Sequence, residues 1–213
     1  MIHNFFIGEE SLRKFQMELM LKAKPSPMYT VLTHTKLEKR LLGLLGFRVS
    51  YIYNFKPNAQ PQPEISNYFQ IGELVSGLSF DSIDDGLSGQ FYLPGGHILP
   101  HHDVYHKSDS PKNGRRFATI MLYIKPAERG GATIFHNLGI RIPGQVGSAL
   151  LWYNTFPNGT SDYQLSHAGC PVFEGTKLIA NFWTRSHFQE FRKTCPLNDL
   201  SRYSGFGQLQ SEK

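Results

Sequence analysis

The sequence predicts a mainly β chain led by helices, an α+β arrangement whose strands form a sandwich or barrel. Three observations predict it. Gly (20) and Pro (13) interrupt every long helical pattern, and aromatics make up 13% of the 213 residues, a mixture that leans toward strands and turns. The first third carries apolar residues at helical spacing. After Gly86, short apolar runs alternate with Gly, Pro and Asn turns. The 40% of hydrophobic residues can fill one core, and the length suits a single domain over 1–213. Within it, 1–80 reads as helical support, 81–200 as the β core and 201–213 as a polar tail.

From Glu9 to Ala23, Leu12, Phe15, Leu19 and Met20 recur at helical spacing, and Pro25 stops the helix. A second helix fits Lys36 to Leu45, with Thr35 as N-cap and Gly46 past its end. Phe47 to Phe55 reads as a strand. Pro57, Pro61 and Pro63 lie in a polar connector, and Glu64 to Val75 fits a third helix that packs through Ile65, Tyr68, Phe69 and Gly72. Apolar or β-branched runs follow at 89–93, 117–125, 132–136, 146–153, 164–173 and 177–184.

The net charge is +5, but Arg13-Lys14, Lys39-Arg40, Arg115-Arg116 and Arg192-Lys193 are far apart in sequence. A nucleic-acid groove needs a stripe or cluster, so no nucleic-acid partner is expected. No membrane span is expected either, because no run approaches roughly 18 consecutive apolar residues. Cys170 and Cys195 are the only cysteines, which excludes a disulfide framework and CxxC zinc spacing. They could bridge or stay as buried thiols. Asn158-Gly159-Thr160 is an N-glycosylation sequon that matters only in a secretory pathway. The first residues lack a basic segment followed by a long apolar one, so no signal peptide is expected.

Nine histidines include His97, His101, His102 and His106 within ten residues. On a strand, residues i and i+2 share a face, so His101 and Asp103 can grip one metal while His102 points the other way. His167 could complete the set. Two imidazoles and one carboxylate on one face leave positions open for a bidentate cosubstrate and O₂, as non-haem Fe(II) oxygenases require. A zinc site in the 97–106 cluster is the competing reading. Ten residues beyond His167 stands Lys177. A three-residue hairpin turn at Glu174-Gly175-Thr176, with Gly175 at positive φ, would put His167, Phe173 and Lys177 on one face. Lys177 then becomes an anchor for the far carboxylate of an anionic cosubstrate.

The segment from Tyr92 to Asp103 (Tyr-Leu-Pro-Gly-Gly-His-Ile-Leu-Pro-His-His-Asp), the His167-Ala168-Gly169-Cys170-Pro171-Val172 segment with Lys177 behind it, and Asn181-Phe182-Trp183 together resemble the catalytic domain of the prolyl 4-hydroxylases, among the 2-oxoglutarate and Fe(II)-dependent dioxygenases. Arg116-Phe117-Ala118-Thr119, Gly130 to Phe135, Trp152-Tyr153-Asn154 and Gln189-Glu190-Phe191-Arg192 are similar to further segments of that family. The resemblance implies a double-stranded β-helix, or jelly-roll, core. It implies Fe(II) on His101, Asp103 and His167. Lys177 would pair with the distal carboxylate of 2-oxoglutarate, Tyr92 would hydrogen-bond to the same group, and Arg116 and Trp183 would line the substrate side. It also implies O₂ and L-ascorbate as cosubstrate and reductant, and proline in a protein or collagen-like peptide as target. A protein disulfide isomerase-type partner, the endoplasmic reticulum lumen and a Cys170–Cys195 disulfide follow from the same source. Where relatives carry a tyrosine, an aromatic and a lysine, this chain has Ile98, His102 and Phe182. A non-catalytic subunit that kept the fold, and an oxygenase acting on another residue, are the alternative functions.

Overall fold

The computed structural model describes residues 2–4, 9–25, 48–55, 63–80, 86–104, 112–189 and 192. The expected helix over 36–45, together with His106, Cys195 and the tail 201–213, lies outside the described residues.

The chain starts with β1 (Ile2–Asn4), α1 (Glu9–Lys22), β2 (Lys24–Pro25), β3 (Arg48–Val49), β4 (Tyr51–Phe55) and α2 (Pro63–Ser76). Ten strands follow: β5 (Leu87–Tyr92), β6 (His97–His101), β7 (Arg116–Lys125), β8 (Arg129–Gly130), β9 (Thr133–Phe135), β10 (Ile140–Ile142), β11 (Ser148–Tyr153), β12 (His167–Gly169), β13 (Val172–Glu174) and β14 (Lys177–Arg185). A larger sheet runs β1-β11-β7-β14-β5-β4-β2, a smaller one β10-β9-β12-β6-β3, and β13 pairs with β8. All pairings are antiparallel, as a jelly-roll demands. The first 80 residues, read from sequence as helical support, also supply four strands, split between the two sheets.

Both helices end where their sequence says they should. In α1 the Ala23 amide still reaches the Leu19 carbonyl, and Pro25 follows. In α2, Pro63 occupies the first turn, where its missing N–H costs nothing, and Gly77 (φ 66°) accepts the left-handed turn that closes the helix. Leu12, Phe15 and Leu19 are buried at the predicted spacing, but Met20 is exposed. It sits one position past Leu19, rotated off the stripe.

Period-2 alternation divides the larger sheet into two environments. Ile120, Leu122 and Ile124 of β7, with Leu178, Ala180 and Phe182 of β14, point outward and pack against Leu12, Phe15, Leu19 and Tyr68 of the helices. The other face points at the smaller sheet. There Met121, Tyr123, Leu150, Trp152 and Ile179 meet Phe135 and Ile142. The space between the sheets therefore has an apolar lining into which a few polar side chains are set.

One expectation is corrected by the pairing. The 167–177 segment is not a hairpin. β12 joins the smaller sheet beside β6 and β9, β13 turns aside to β8, and β14 crosses to the larger sheet, where Lys177 pairs with Tyr92. Gly175 does adopt positive φ (73°), but its turn carries the chain from one sheet to the other. Phe173 is 65% exposed and does not share a face with Lys177. Hairpin parity does not hold across this turn, because a jelly-roll connects strands across the sandwich.

Candidate metal centre and active site

The site begins with two cross-strand neighbours. His101, the last residue of β6, is the register partner of His167, the first residue of β12. Directly opposed strand residues project to the same side, and the two rings lie 4.3 Å apart between centroids. Asp103 follows two residues after His101, on a bend beyond the strand end, and still turns to the same side. Its Oδ1 lies 3.7 Å from His101 Nε2 and its Oδ2 3.8 Å from His167 Nε2. One ligand atom from each of the three residues falls within 4.8 Å of the others.

Main-chain geometry prepares both imidazoles. His101 Nδ1 donates to the Leu99 carbonyl at 2.9 Å, and His167 Nδ1 to the Leu165 carbonyl at 3.0 Å. Each bond assigns the tautomer that leaves the Nε2 lone pair facing Asp103. Phe135 and Trp152 wall the His167 ring at 5.5 and 4.9 Å. Burial opposes the charge on Asp103, but His167, His101, the Thr119 hydroxyl and the Arg116 guanidinium outweigh it and hold the carboxyl below its ordinary range. The carboxylate is thus ionised, and each imidazole turns its Nε2 toward it. This donor set suits a divalent iron.

The zinc reading finds no such set among the described residues. His97 turns its Nδ1 to the Gly95 carbonyl at 2.9 Å and is not part of the cluster. His102, read as pointing away from the metal, packs its ring edge-on to Tyr163 at 5.1 Å, and burial followed by the nearby His167 lowers its pKa.

Lys177 enters from the opposite sheet. Its Nζ reaches across to Thr133 Oγ1 of β9 at 3.4 Å and lies 5.7 and 5.9 Å from the Tyr92 and Tyr123 ring centroids. A Cβ placed on Gly169, two residues past His167, would lie 3.9 Å from that ammonium. The cation therefore sits between the sheets, below His101, Asp103 and His167. Burial lowers its pKa from 10.5 to about 8, because no carboxylate among the described residues neutralises it. Such a cation is suited to an anion that arrives from outside. Tyr92 is equally buried and donates its hydroxyl to Gln90 Oε1.

At the other end, the Arg116 guanidinium stacks over Trp183 at 3.8 Å and donates to the Asp103 main-chain oxygen at 3.4 Å. Both residues lie beside the triad. Of the three departures from the family pattern, Phe182 faces outward, packed edge-on to Phe69 and Phe80 at 5.7 and 4.9 Å, and touches nothing in the site. Ile98 lies on β6 against Gly169.

The sequence model of the 2OG-Fe(II) oxygenase superfamily matches residues 87–185, from the first residue of β5 to the last of β14. That match takes in His101, Asp103, His167 and Lys177. The prolyl 4-hydroxylase subunit alpha-1 of Gallus gallus is 39% identical over 132 residues, 59% of this chain and 25% of that protein. Subunit alpha-2 of Caenorhabditis elegans is 37% identical over 123 residues, 55% of this chain and 23% of that protein. The chain thus spans about a quarter of the length of the curated relatives it matches. Among solved structures, the viral collagen prolyl hydroxylase of Paramecium bursaria Chlorella virus-1, in its 2OG complex, superposes with a TM-score of 0.62 at 24% identity. That match covers 87% of this chain and 94% of the viral one. A prolyl hydroxylase of Trichoplax adhaerens, in complex with a hypoxia inducible factor peptide, superposes at 0.58 with 15% identity, covering 87% and 82%. These superpositions show that the chain shares the jelly-roll fold of those structures.

Sequence reasoning gave Thr119 and Asn154 no role, yet both sit in the site. Thr119 Oγ1 lies 2.6 Å from Asp103 Oδ2, and Asn154 Nδ2 lies 2.9 Å from Thr119 Oγ1. The signal was present: Thr119 is the one aliphatic hydroxyl in the run Phe117–Ile124.

Proposed function

We propose that this chain hydroxylates proline in a protein or peptide substrate, coupling the reaction to oxidative decarboxylation of 2-oxoglutarate. The observation that carries the reading is the convergence of His101, Asp103 and His167 above a buried, unneutralised Lys177. In the balance, one oxygen atom of O₂ enters succinate as CO₂ leaves, and the other enters a proline C–H bond. Fe(II), when bound, supplies the O₂ chemistry.

The protein's share is placement. His101 and His167 offer Nε2 and Asp103 a carboxylate oxygen, all pre-set by second contacts. Lys177 pairs with the distal carboxylate of 2-oxoglutarate, beside Tyr92. Phe135 and Trp152 keep water from the inner side. Arg116 and Trp183 line the side from which peptide enters. The family resemblance supports L-ascorbate as the reductant that restores Fe(II), the endoplasmic reticulum lumen as compartment, and a protein disulfide isomerase-type partner. In that compartment Cys170 would pair with Cys195. Asn158 would be open to glycosylation; it is exposed, and the Thr160 hydroxyl donates to its side-chain oxygen at 2.7 Å.

The test is succinate release by the Fe(II)-loaded chain with 2-oxoglutarate and ascorbate, with and without a Gly-X-Pro peptide. We expect peptide-stimulated succinate, and a loss of more than about 100-fold in His101→Ala, the upper range for residues one shell further from a metal. Succinate without peptide stimulation would transfer the chemistry to another target residue. No succinate from folded, iron-loaded protein would leave a non-catalytic subunit as the better account.

A further inference from the structure

We infer that Thr119 and Asn154 are positioning residues that hold Asp103 as a one-oxygen metal ligand. The inference rests on the proposed iron site and deepens it.

Thr119 lies in the middle of β7, fully buried. Its register partners are Trp152 on β11 and Trp183 on β14, so the three side chains form one row on the inner face of the larger sheet. Thr119 is the small member of that row, and the Asp103 carboxylate stands over it. Asn154 is two residues beyond Trp152, and its main-chain N–H is tied to the Phe117 carbonyl at 2.8 Å.

The hydroxyl of Thr119 has one proton and two acceptors in reach: Asp103 Oδ2 at 2.6 Å and Asn154 Oδ1 at 3.3 Å. A charged acceptor at the shorter distance wins. Asn154 Nδ2, donating to Thr119 Oγ1 at 2.9 Å, occupies a lone pair of the hydroxyl and steers its proton toward Asp103. The result is a relay, Asn154 to Thr119 to Asp103, that ties down Oδ2. Among the described residues Oδ1 accepts no hydrogen bond. The bond restrains rotation of the carboxylate and leaves Oδ1 as its less encumbered oxygen. If it could rotate, it could grip the metal with both and take up a position that 2-oxoglutarate or O₂ needs. The tie thus protects the open side of the site.

Co(II) affinity and the visible spectrum of the Co(II)-loaded protein test this without turnover. Thr119→Val keeps the volume and removes the hydroxyl. We expect Co(II) binding to weaken about 10- to 100-fold and the visible bands to change. Thr119→Ser should restore both. Asn154→Ala leaves the hydroxyl in place but frees its rotation, and should give a smaller loss in the same direction. It carries the test if Thr119→Val does not fold. Wild-type affinity and spectrum in Thr119→Val, or in Asn154→Ala where only that variant folds, would overturn the inference. Failure of the wild-type chain to bind Co(II) at His101, Asp103 and His167 would instead overturn the proposed iron site.

Discussion

Lys177→Met will lose most of its affinity for 2-oxoglutarate and, in the ligand-free protein, will be more stable than wild type at neutral pH. Both effects come from one buried charge. Lys177 is 3% exposed, and burial lowers its pKa from 10.5 to about 8. At pH 7 it is still protonated, so the folded protein carries an ammonium that it solvates poorly. At 1.36 kcal/mol per unit, the penalty is roughly 3 kcal/mol. Methionine fills similar volume without it. The sign with pH follows from proton counts. Between about pH 8 and 10.5 the unfolded state binds the proton and the folded state does not, so wild-type stability rises with pH across that window. The advantage of the variant is therefore full below about pH 8 and shrinks above it. Removing one partner of a buried charge pair costs about 2 kcal/mol or more, so 2-oxoglutarate should bind roughly 30-fold or more weakly. Wild-type affinity should also decline above about pH 8, as the free protein loses the proton it needs for the ligand. Calorimetric titration under anaerobic conditions and urea melts at pH 7 and 10 measure both halves. Wild-type affinity in the variant would remove Lys177 from the cosubstrate site.

The parts of this site that are local in sequence were legible, and those that depend on strand pairing were not. His101 and Asp103 are two apart, and even past the strand end the alternation kept them together. His167 could be offered as the third ligand from its residue type, and its segment also resembles the family pattern. Hairpin parity predicts a shared face for His167 and Lys177, and the fold brings them together in another way. The two residues belong to opposing sheets and meet because the sandwich closes. Their closeness comes from pairings with β6 and β5, which lie 66 and more residues upstream and leave no mark on the turn between them. Thr119 went unassigned for a related reason. A threonine in an apolar strand is most simply a β-branched core residue, and only the arrival of Asp103 from another loop turns its hydroxyl into a ligand support.

The helices should matter for the stability of this site and not for its chemistry. Phe15 tests that separation. It is 2% exposed, stacks on Phe55 of β4 at 4.7 Å and meets Tyr68 of α2 edge-on at 6.1 Å. It thus joins both helices to the outer face of the larger sheet. Cutting it to alanine removes a ring from a closed cluster, and such changes cost about 3–5 kcal/mol through lost burial and the cavity left behind. That is a large part of the roughly 5–15 kcal/mol that holds a typical domain. The inner face has its own apolar cluster, built from Met121, Trp152, Phe135 and their neighbours, which Phe15 does not enter. Phe15→Ala should therefore lower the urea midpoint sharply while Co(II) affinity, measured where the variant is still folded, stays at the wild-type level. A loss below about 1 kcal/mol would mean that α1 contributes little to holding the sheet. A parallel loss of metal affinity would mean that the outer face sets the positions of the β7 and β14 side chains beneath Asp103, and that the two sides of the sheet are one mechanical unit.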